Sequence, residues 1–303
     1  MSVPPSLARP AHVADRVLPT ERGDFAALGA DPVACGWSGT AHAPVVLVPG
    51  FTGSKEDFLA VLHPLAAAGF PVLAFDQRGQ YETGGPPPPE GWTLEAFAAD
   101  LLAVAAVHGA GAPVHLLGHS FGGLVARAAV LADPARFCSL TLLSSGPAAF
   151  TGDAAGLLIA MADGLERLGL PAVWAAKVRH DLNQGWQPPE DPLVRAFLEA
   201  RFLANDPAAL AAKARLLASE PDRTDQLARV APPTLVAFGA DDDVWSPRIQ
   251  AEMASRLGAT CVSLPEAAHS PAAERPADTA DLLAGFWAAT ETSGSARNGE
   301  GRR

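Results

Sequence analysis

Six short apolar runs constrain this chain more than any other feature. They are "PVVLVPG" ending at Gly50, "PVLAFD" at Asp76, "PVHLLG" at Gly118, "SLTLLSSG" at Gly146, "PTLVAFG" at Gly239 and "ATCVSLP" at Pro265. Each is continuously apolar over a strand's length, rather than alternating. Strands of that kind are buried on both faces, so helices must cover both sides of a parallel sheet. Helical patterns fill the gaps, around 59–68, 94–107 and 123–131, with a last one near 281–289. The expected fold class is α/β, with a mostly parallel central sheet flanked by helices. An antiparallel hairpin around 25–37 is expected to extend one edge.

The strand–helix alternation breaks after residue 146. Leu157, Leu158, Met161, Leu165 and Leu168 recur at helical spacing, and Asp191-Pro192 and Asp206-Pro207 read as N-caps followed by proline in the first turn. Residues 147–230 are therefore expected to be an inserted helical cap on a core formed by 20–146 and 231–290. The polar ends, 1–19 and 291–303, are expected to be flexible. Trp174, Trp186, Phe197 and Phe202 fit the insertion's own core. A cap over a sheet edge also lines a pocket, so Trp174 and Trp186 are candidate substrate contacts as well.

Composition narrows the function classes. The chain has 303 residues, 49% hydrophobic and 18% charged, with a formal net charge of -11. That acidity argues against a nucleic-acid partner. No apolar stretch is long enough to span a bilayer, so no membrane role is expected, and no basic-then-apolar leader opens the chain. Cys35, Cys138 and Cys261 have no metal-ligand spacing and read as buried thiols of a reducing, cytoplasmic compartment. No metal and no organic cofactor is implied. A monomer or a homodimer is expected.

The chemistry centres on "GHSFG", residues 118–122, at the junction of a strand and a helix. A serine there is forced into a tight turn, where side chains two positions before and after would strike backbone. Gly118 and Gly122 remove those clashes. The turn lifts the Ser120 hydroxyl above the carboxyl edge of the sheet and in front of a helix N-terminus. Serine needs a base to take its proton. His269 follows the final strand and is the single histidine after the "GADDD" strand end. Asp241, Asp242 and Asp243 all sit at that strand end, and spacing alone does not separate them. His119 adjoins the serine but points elsewhere, which suggests a structural role. Acyl transfer also needs two oxyanion donors. The candidates are the N–H of Phe121, after the serine, and that of Phe51, in the turn Pro49-Gly50-Phe51; Pro49 has no N–H to give.

Together "PGFTGS", "FDQRGQ", "GHSFGG", "GADDDVWSP" and "AAHSP" resemble, in order and spacing, the landmark loops of the α/β-hydrolase superfamily, across roughly residues 41–289. The likeness is to capped serine hydrolases of actinobacterial type. It implies the α/β-hydrolase fold, Ser120 as nucleophile, Asp242 as acid, His269 as base and Phe51 and Phe121 as oxyanion donors. It also implies that Asp76 and Arg78 hold neighbouring backbone. Pro49 stands where the family often has histidine, and Gln80 and Tyr81 replace its usual small residues. Tyr81 is a further candidate for the pocket border. Epoxide hydrolases and haloalkane dehalogenases share the architecture but carry aspartate at the elbow, so Ser120 argues against both.

The expected function is hydrolysis of a small-molecule carboxylic ester or thioester, with an apolar or aromatic acyl part, through an acyl-enzyme. The same site could serve acyl transfer, C–C or amide cleavage, or a lyase or cyclase step. A non-catalytic small-molecule receptor is the reading from another class.

Overall fold

The computed structural model describes residues 2–88 and 90–300, with side chains described through residue 293. The chain opens with a hairpin, β1 (Val13–Thr20) and β2 (Gly23–Ala30), paired from Val13 with Ala30 to Thr20 with Gly23. Gly23, at φ +120°, closes its two-residue turn. Then come β3 (Val45–Val48), α1 (Leu59–Ala67), β4 (Val72–Phe75), α2 (Leu94–His108), β5 (Val114–His119), α3 (Phe121–Ala132) and β6 (Phe137–Leu143). The helices α4 (Gly152–Asn183), α5 (Pro192–Leu203), α6 (Pro207–Leu217) and α7 (Thr224–Leu227) follow without an intervening strand. The chain closes with β7 (Thr234–Gly239), α8 (Pro247–Leu257), β8 (Thr260–Leu264), α9 (Pro271–Glu274) and α10 (Pro276–Glu300).

Among the described residues the sheet has eight strands in the order β1-β2-β4-β3-β5-β6-β7-β8. It is parallel from β4 to β8, with β2 antiparallel to β4 at one edge. Five of the six apolar runs behave as continuous burial requires; β8, at the sheet edge, does not, with Thr260, Cys261 and Ser263 exposed. Val46 and Val48 of β3 join Phe97, Leu101 and Leu124 on one face, while Val45 and Leu47 join Leu62, Leu65 and Trp287 on the other. Each such aliphatic side chain contributes about 1.5–3 kcal/mol by leaving water, and the two-sided core holds the strand tips in register.

Both chain ends differ from the expectation. Residues 1–19, expected to be flexible, contain β1, and Ser2 is buried. The hairpin is accordingly 13–30 rather than 25–37. β1 was masked by its edge position: only Val13 and Leu18 are buried, and Asp15, Arg16 and Pro19 face outward, as suits a strand that must not recruit another. At the other end α10 runs to Glu300, past residue 290. Its polar stretch satisfies itself: Thr290, Thr292 and Ser293 hydroxyls donate to the carbonyls of Phe286, Ala288 and Ala289. Residues 301–303 lie outside the described ones.

Between β6 and β7 the chain is helical. Asp191 and Asp206 cap α5 and α6 as their Asp-Pro spacing predicts. Gly169, at φ +77° just before Leu170-Pro171, breaks α4 into two arms. Ala162, Leu165, Val173, Phe202, Leu210 and Ala214 form a small separate core. A buried ion pair ties this insertion to the α/β core: Arg201 of α5 donates to Asp57 Oδ1, in the helical turn just before α1, at 2.7 Å, with the two side chains 0% and 3% exposed. The same guanidinium donates to the Ser2 carbonyl at 2.8 Å.

Candidate active site

The tip of β5 turns into α3 at Ser120, whose backbone is held at φ 55°, ψ -120°. A non-glycine residue seldom adopts that conformation without compensation from its surroundings. The compensation is steric fit. A Cβ on Gly118 would overlap the Gly122 carbonyl, and one on Gly122 would overlap the Val48 carbonyl. Only glycine lets β5, α3 and β3 approach so closely. Ser120 therefore sits at the head of α3, whose first N–H groups have no intrahelical acceptor.

Three residues distant in sequence meet at this point. The Ser120 hydroxyl lies 3.0 Å from His269 Nε2, and His269 Nδ1 lies 3.0 Å from Asp242 Oδ1. With its proton on Nδ1, the imidazole donates to Asp242 and accepts from Ser120. The structure separates the three adjacent aspartates: Asp241 and Asp243 are exposed and Asp242 is buried. Asp242 Oδ1 also accepts from the N–H groups of Val244 and Trp245, and Oδ2 accepts from Gln250 Nε2 at 2.8 Å. Burial alone would raise its pKa. The His269 hydrogen bond and charge, with those from Val244 and Gln250, outweigh burial and hold the carboxyl below its usual range. Gln250 lies on α8 and carried no sequence signal.

His119 sits behind this trio. Its Nε2–H donates to the His269 carbonyl at 2.7 Å. Burial, then the neighbouring His269, push its pKa down to about 4, so the ring is neutral at neutral pH. It braces the His269 loop, in keeping with the structural role expected of it.

The turn after β3 faces the serine. A Cβ on Gly50 would stand 3.2 Å from Ser120 Cβ, so glycine permits the close approach. Phe51 follows and borders the cavity above Ser120. Two buried glutamines hold this turn from behind: Gln77 Nε2 donates to the Pro49 carbonyl and Gln80 Nε2 to the Gly50 carbonyl, each at 2.8 Å. Asp76 accepts from the backbone and side chain of Lys55, and Arg78 pairs with Asp100 and donates to the Arg22 carbonyl. Both do the backbone-holding work expected of them.

The cavity measures about 570 Å³, within the range of small-molecule sites. Ser120, His269 and Phe51 form its floor, and both arms of α4 form its walls through Leu158, Met161, Val173 and Ala176. Tyr81, Trp174 and Trp186, taken as candidate substrate contacts, do not line it. Tyr81 packs edge-on against Phe197 with Lys55 Nζ over its ring. Trp174 stacks on Phe202 in the insertion's own core. Trp186 lies past the end of α4, its N–H donating to the Asp181 carbonyl. The aliphatic stripe of α4, rather than the aromatics, meets the cavity.

Among the described residues no group of three or more His, Cys, Asp or Glu side chains converges as a metal site. No helix among them is long and apolar enough to cross a membrane. Cys35, Cys138 and Cys261 are free thiols but not buried as expected: Cys35 and Cys138 are half-buried, and Cys261 is exposed because β8 is an edge strand.

Comparison with known proteins agrees with this architecture. RutD of Variovorax paradoxus, provisionally named a carbamate hydrolase, is 36% identical over 104 residues, 33% of this chain and 37% of its own. The chain thus matches little more than a third of that relative's length. The non-heme chloroperoxidase of Streptomyces lividans is 29% identical over 218 residues, 69% of this chain and 77% of its own. A thermophilic esterase from Thermogutta terrifontis shares the fold with a TM-score of 0.72 and 24% identity, over 91% of this chain and 99% of the esterase. Residues 45–282 match the alpha/beta hydrolase family as a whole. This chain therefore belongs to the alpha/beta hydrolase family.

Proposed function

We propose that the chain is a serine hydrolase that cleaves a small-molecule carboxylic ester or thioester, with residues 147–230 as its cap. The observation that carries this reading is the unbroken relay from Ser120 Oγ through His269 to Asp242, with both links at 3.0 Å, at the floor of a largely apolar cavity. His269 Nε2 takes the hydroxyl proton as Ser120 Oγ attacks the acyl carbon, and Asp242 stabilises the imidazolium that forms. The N–H groups of Phe51 and Phe121 donate to the developing oxyanion, aided by the positive end of α3. His269 then protonates the departing alkoxide or thiolate. In the second half, it deprotonates a water that releases the acid and regenerates Ser120.

The aliphatic walls supplied by α4 support an apolar acyl group, bound by area rather than by polar contacts. A tagged fluorophosphonate tests the reading. The wild-type chain should be labelled at Ser120 and hydrolyse a p-nitrophenyl ester. Ser120→Ala should lose both, with turnover falling about 10⁶-fold, as for loss of a triad nucleophile. Undiminished hydrolysis by Ser120→Ala would refute it.

A further inference from the structure

We infer that Gln80 is the positioning residue of the oxyanion site: its side-chain amide fixes the direction of the Phe51 N–H by holding the carbonyl on the other side of the same peptide unit. This rests on the serine-hydrolase reading above and concerns the donor half of that site. The Gly50 carbonyl and the Phe51 N–H belong to one planar amide and point to opposite sides of it. Whatever holds the oxygen therefore aims the hydrogen. Gln80 Nε2 donates to that oxygen at 2.8 Å, and Gln80 is 0% exposed.

The peptide needs such a hold. Residues 50–53 form a turn outside any strand or helix. Within it the Gly53 N–H reaches the Gly50 carbonyl only at 3.4 Å. Glycine at 50 leaves one of the two flanking dihedrals almost unrestricted, so rotation of the whole peptide plane meets little steric resistance. A rotated plane would present a carbonyl oxygen to the developing oxyanion, which converts a stabilising dipole into a repulsive one.

Gln80 is itself oriented. Its Oε1 accepts the Gln77 N–H at 3.0 Å. That bond is possible for the amide oxygen and not for the amide nitrogen, so the NH₂ group must face Gly50. The backbone around it is closed by Gln80 N–H to the Gln77 carbonyl at 2.8 Å and Thr83 N–H to the Gln80 carbonyl at 2.9 Å. Gln77 in turn holds the preceding carbonyl, that of Pro49. The chain of dipoles Gln77 N–H, Gln80 amide, Gly50–Phe51 peptide runs in one sense, so each bond polarises the next and strengthens the final donor.

Two variants test this, assayed on p-nitrophenyl butyrate after circular dichroism has checked the fold. Gln80→Met removes the donor at similar volume. It should lower kcat about 10²-fold, the effect of losing one oxyanion donor, with KM within about twofold of wild type. Gln80→Glu keeps the acceptor for Gln77 and loses the donor while ionised. Its kcat should be low at pH 8 and should recover relative to wild type as the pH falls, because the protonated carboxyl can again donate to Gly50. If Gln80→Met does not fold, the Glu variant decides alone. A kcat ratio to wild type that is flat or falls towards low pH overturns the inference. So does a loss confined to KM or to thermal stability. Wild-type labelling at Ser120 alongside unimpaired Gln80 variants would sink only this inference. Hydrolysis that survives Ser120→Ala would sink the parent reading instead.

Discussion

Replacing Arg201 with methionine should destabilise the protein strongly without touching Ser120, His269 or Asp242. Arg201 is fully buried and donates to Asp57, which is 3% exposed. Without the guanidinium, Asp57 keeps only the Ser54 N–H at 3.4 Å on its other oxygen, so a carboxylate is left in the interior without a counter-charge. Breaking a buried pair from one side costs about 3–5 kcal/mol, and the orphaned Ser2 carbonyl adds about 1 kcal/mol. A chain of about 300 residues unfolds with an entropy of roughly 0.6 kcal/mol per kelvin, so the combined loss of about 4–6 kcal/mol corresponds to a drop in Tm of roughly 6–10 °C. The pair is costly to bury even when intact, and Arg201 Nε has no acceptor. The double variant Arg201→Met/Asp57→Asn should therefore recover most of the loss. Differential scanning calorimetry on the wild type, both single variants and the double variant gives the coupling directly. A Tm drop below about 1 °C for Arg201→Met would refute the reasoning. A double variant as unstable as the sum of the singles would do the same.

Two further expectations bear on charge. Asp242→Asn should preserve the fold, because its one oxygen can still accept from the Val244 and Trp245 N–H groups while its NH₂ meets the otherwise unpartnered oxygen of a turned Gln250 amide, yet lower kcat about 10⁴-fold through a misoriented imidazole; steady-state ester hydrolysis beside a matched thermal melt checks it. Lys213 of α6 is 1% exposed, its amine lies 5.1 Å from the Phe97 ring centroid and 5.8 Å from that of Phe121, and it has no hydrogen-bond acceptor. Burial pushes its pKa down to about 7, from 10.5, against the opposing pull of Asp76 and Asp100. Between those values the unfolded chain binds the extra proton, so wild-type stability should rise with pH across that window and be insensitive to this group below it. Lys213→Met should accordingly be more stable than wild type at pH 7, and urea midpoints should show the advantage shrinking by pH 10. An advantage that grows with pH would contradict this.

The parts of the molecule legible in the sequence are those where physics leaves one residue type. Doubly buried strands must be apolar throughout, which exposed β3 to β7. The elbow tolerates only glycine at 118 and 122. His269 was marked by its place after the last strand. Elsewhere the residue type underdetermines the outcome. Three adjacent aspartates are equivalent until α8 brings Gln250 to one of them. An aromatic on a helical insertion satisfies its own core as readily as a cavity wall, and Trp174 chose the core. Gln77 and Gln80 act through a turn that approaches them only in the folded chain, so nothing in their local pattern reveals it. The outer strand β1 hid because a half-exposed edge reads like a polar loop.

β6 and β7 are hydrogen-bonded neighbours that run parallel, so the chain leaves the tip of β6 and must cross the length of the sheet before it enters β7 from the far end. A different helical module could make that crossing with the tips of β5, β7 and β8 left standing, once it replaced ties such as those of Arg201 to Asp57 and Ser2 and of the Asp206 N–H to the Gly79 carbonyl. On the proposed reading, the α4 side chains that wall the cavity and the Ser120, His269 and Asp242 trio thus lie on separate stretches of the chain, so one can be rebuilt while the other is kept.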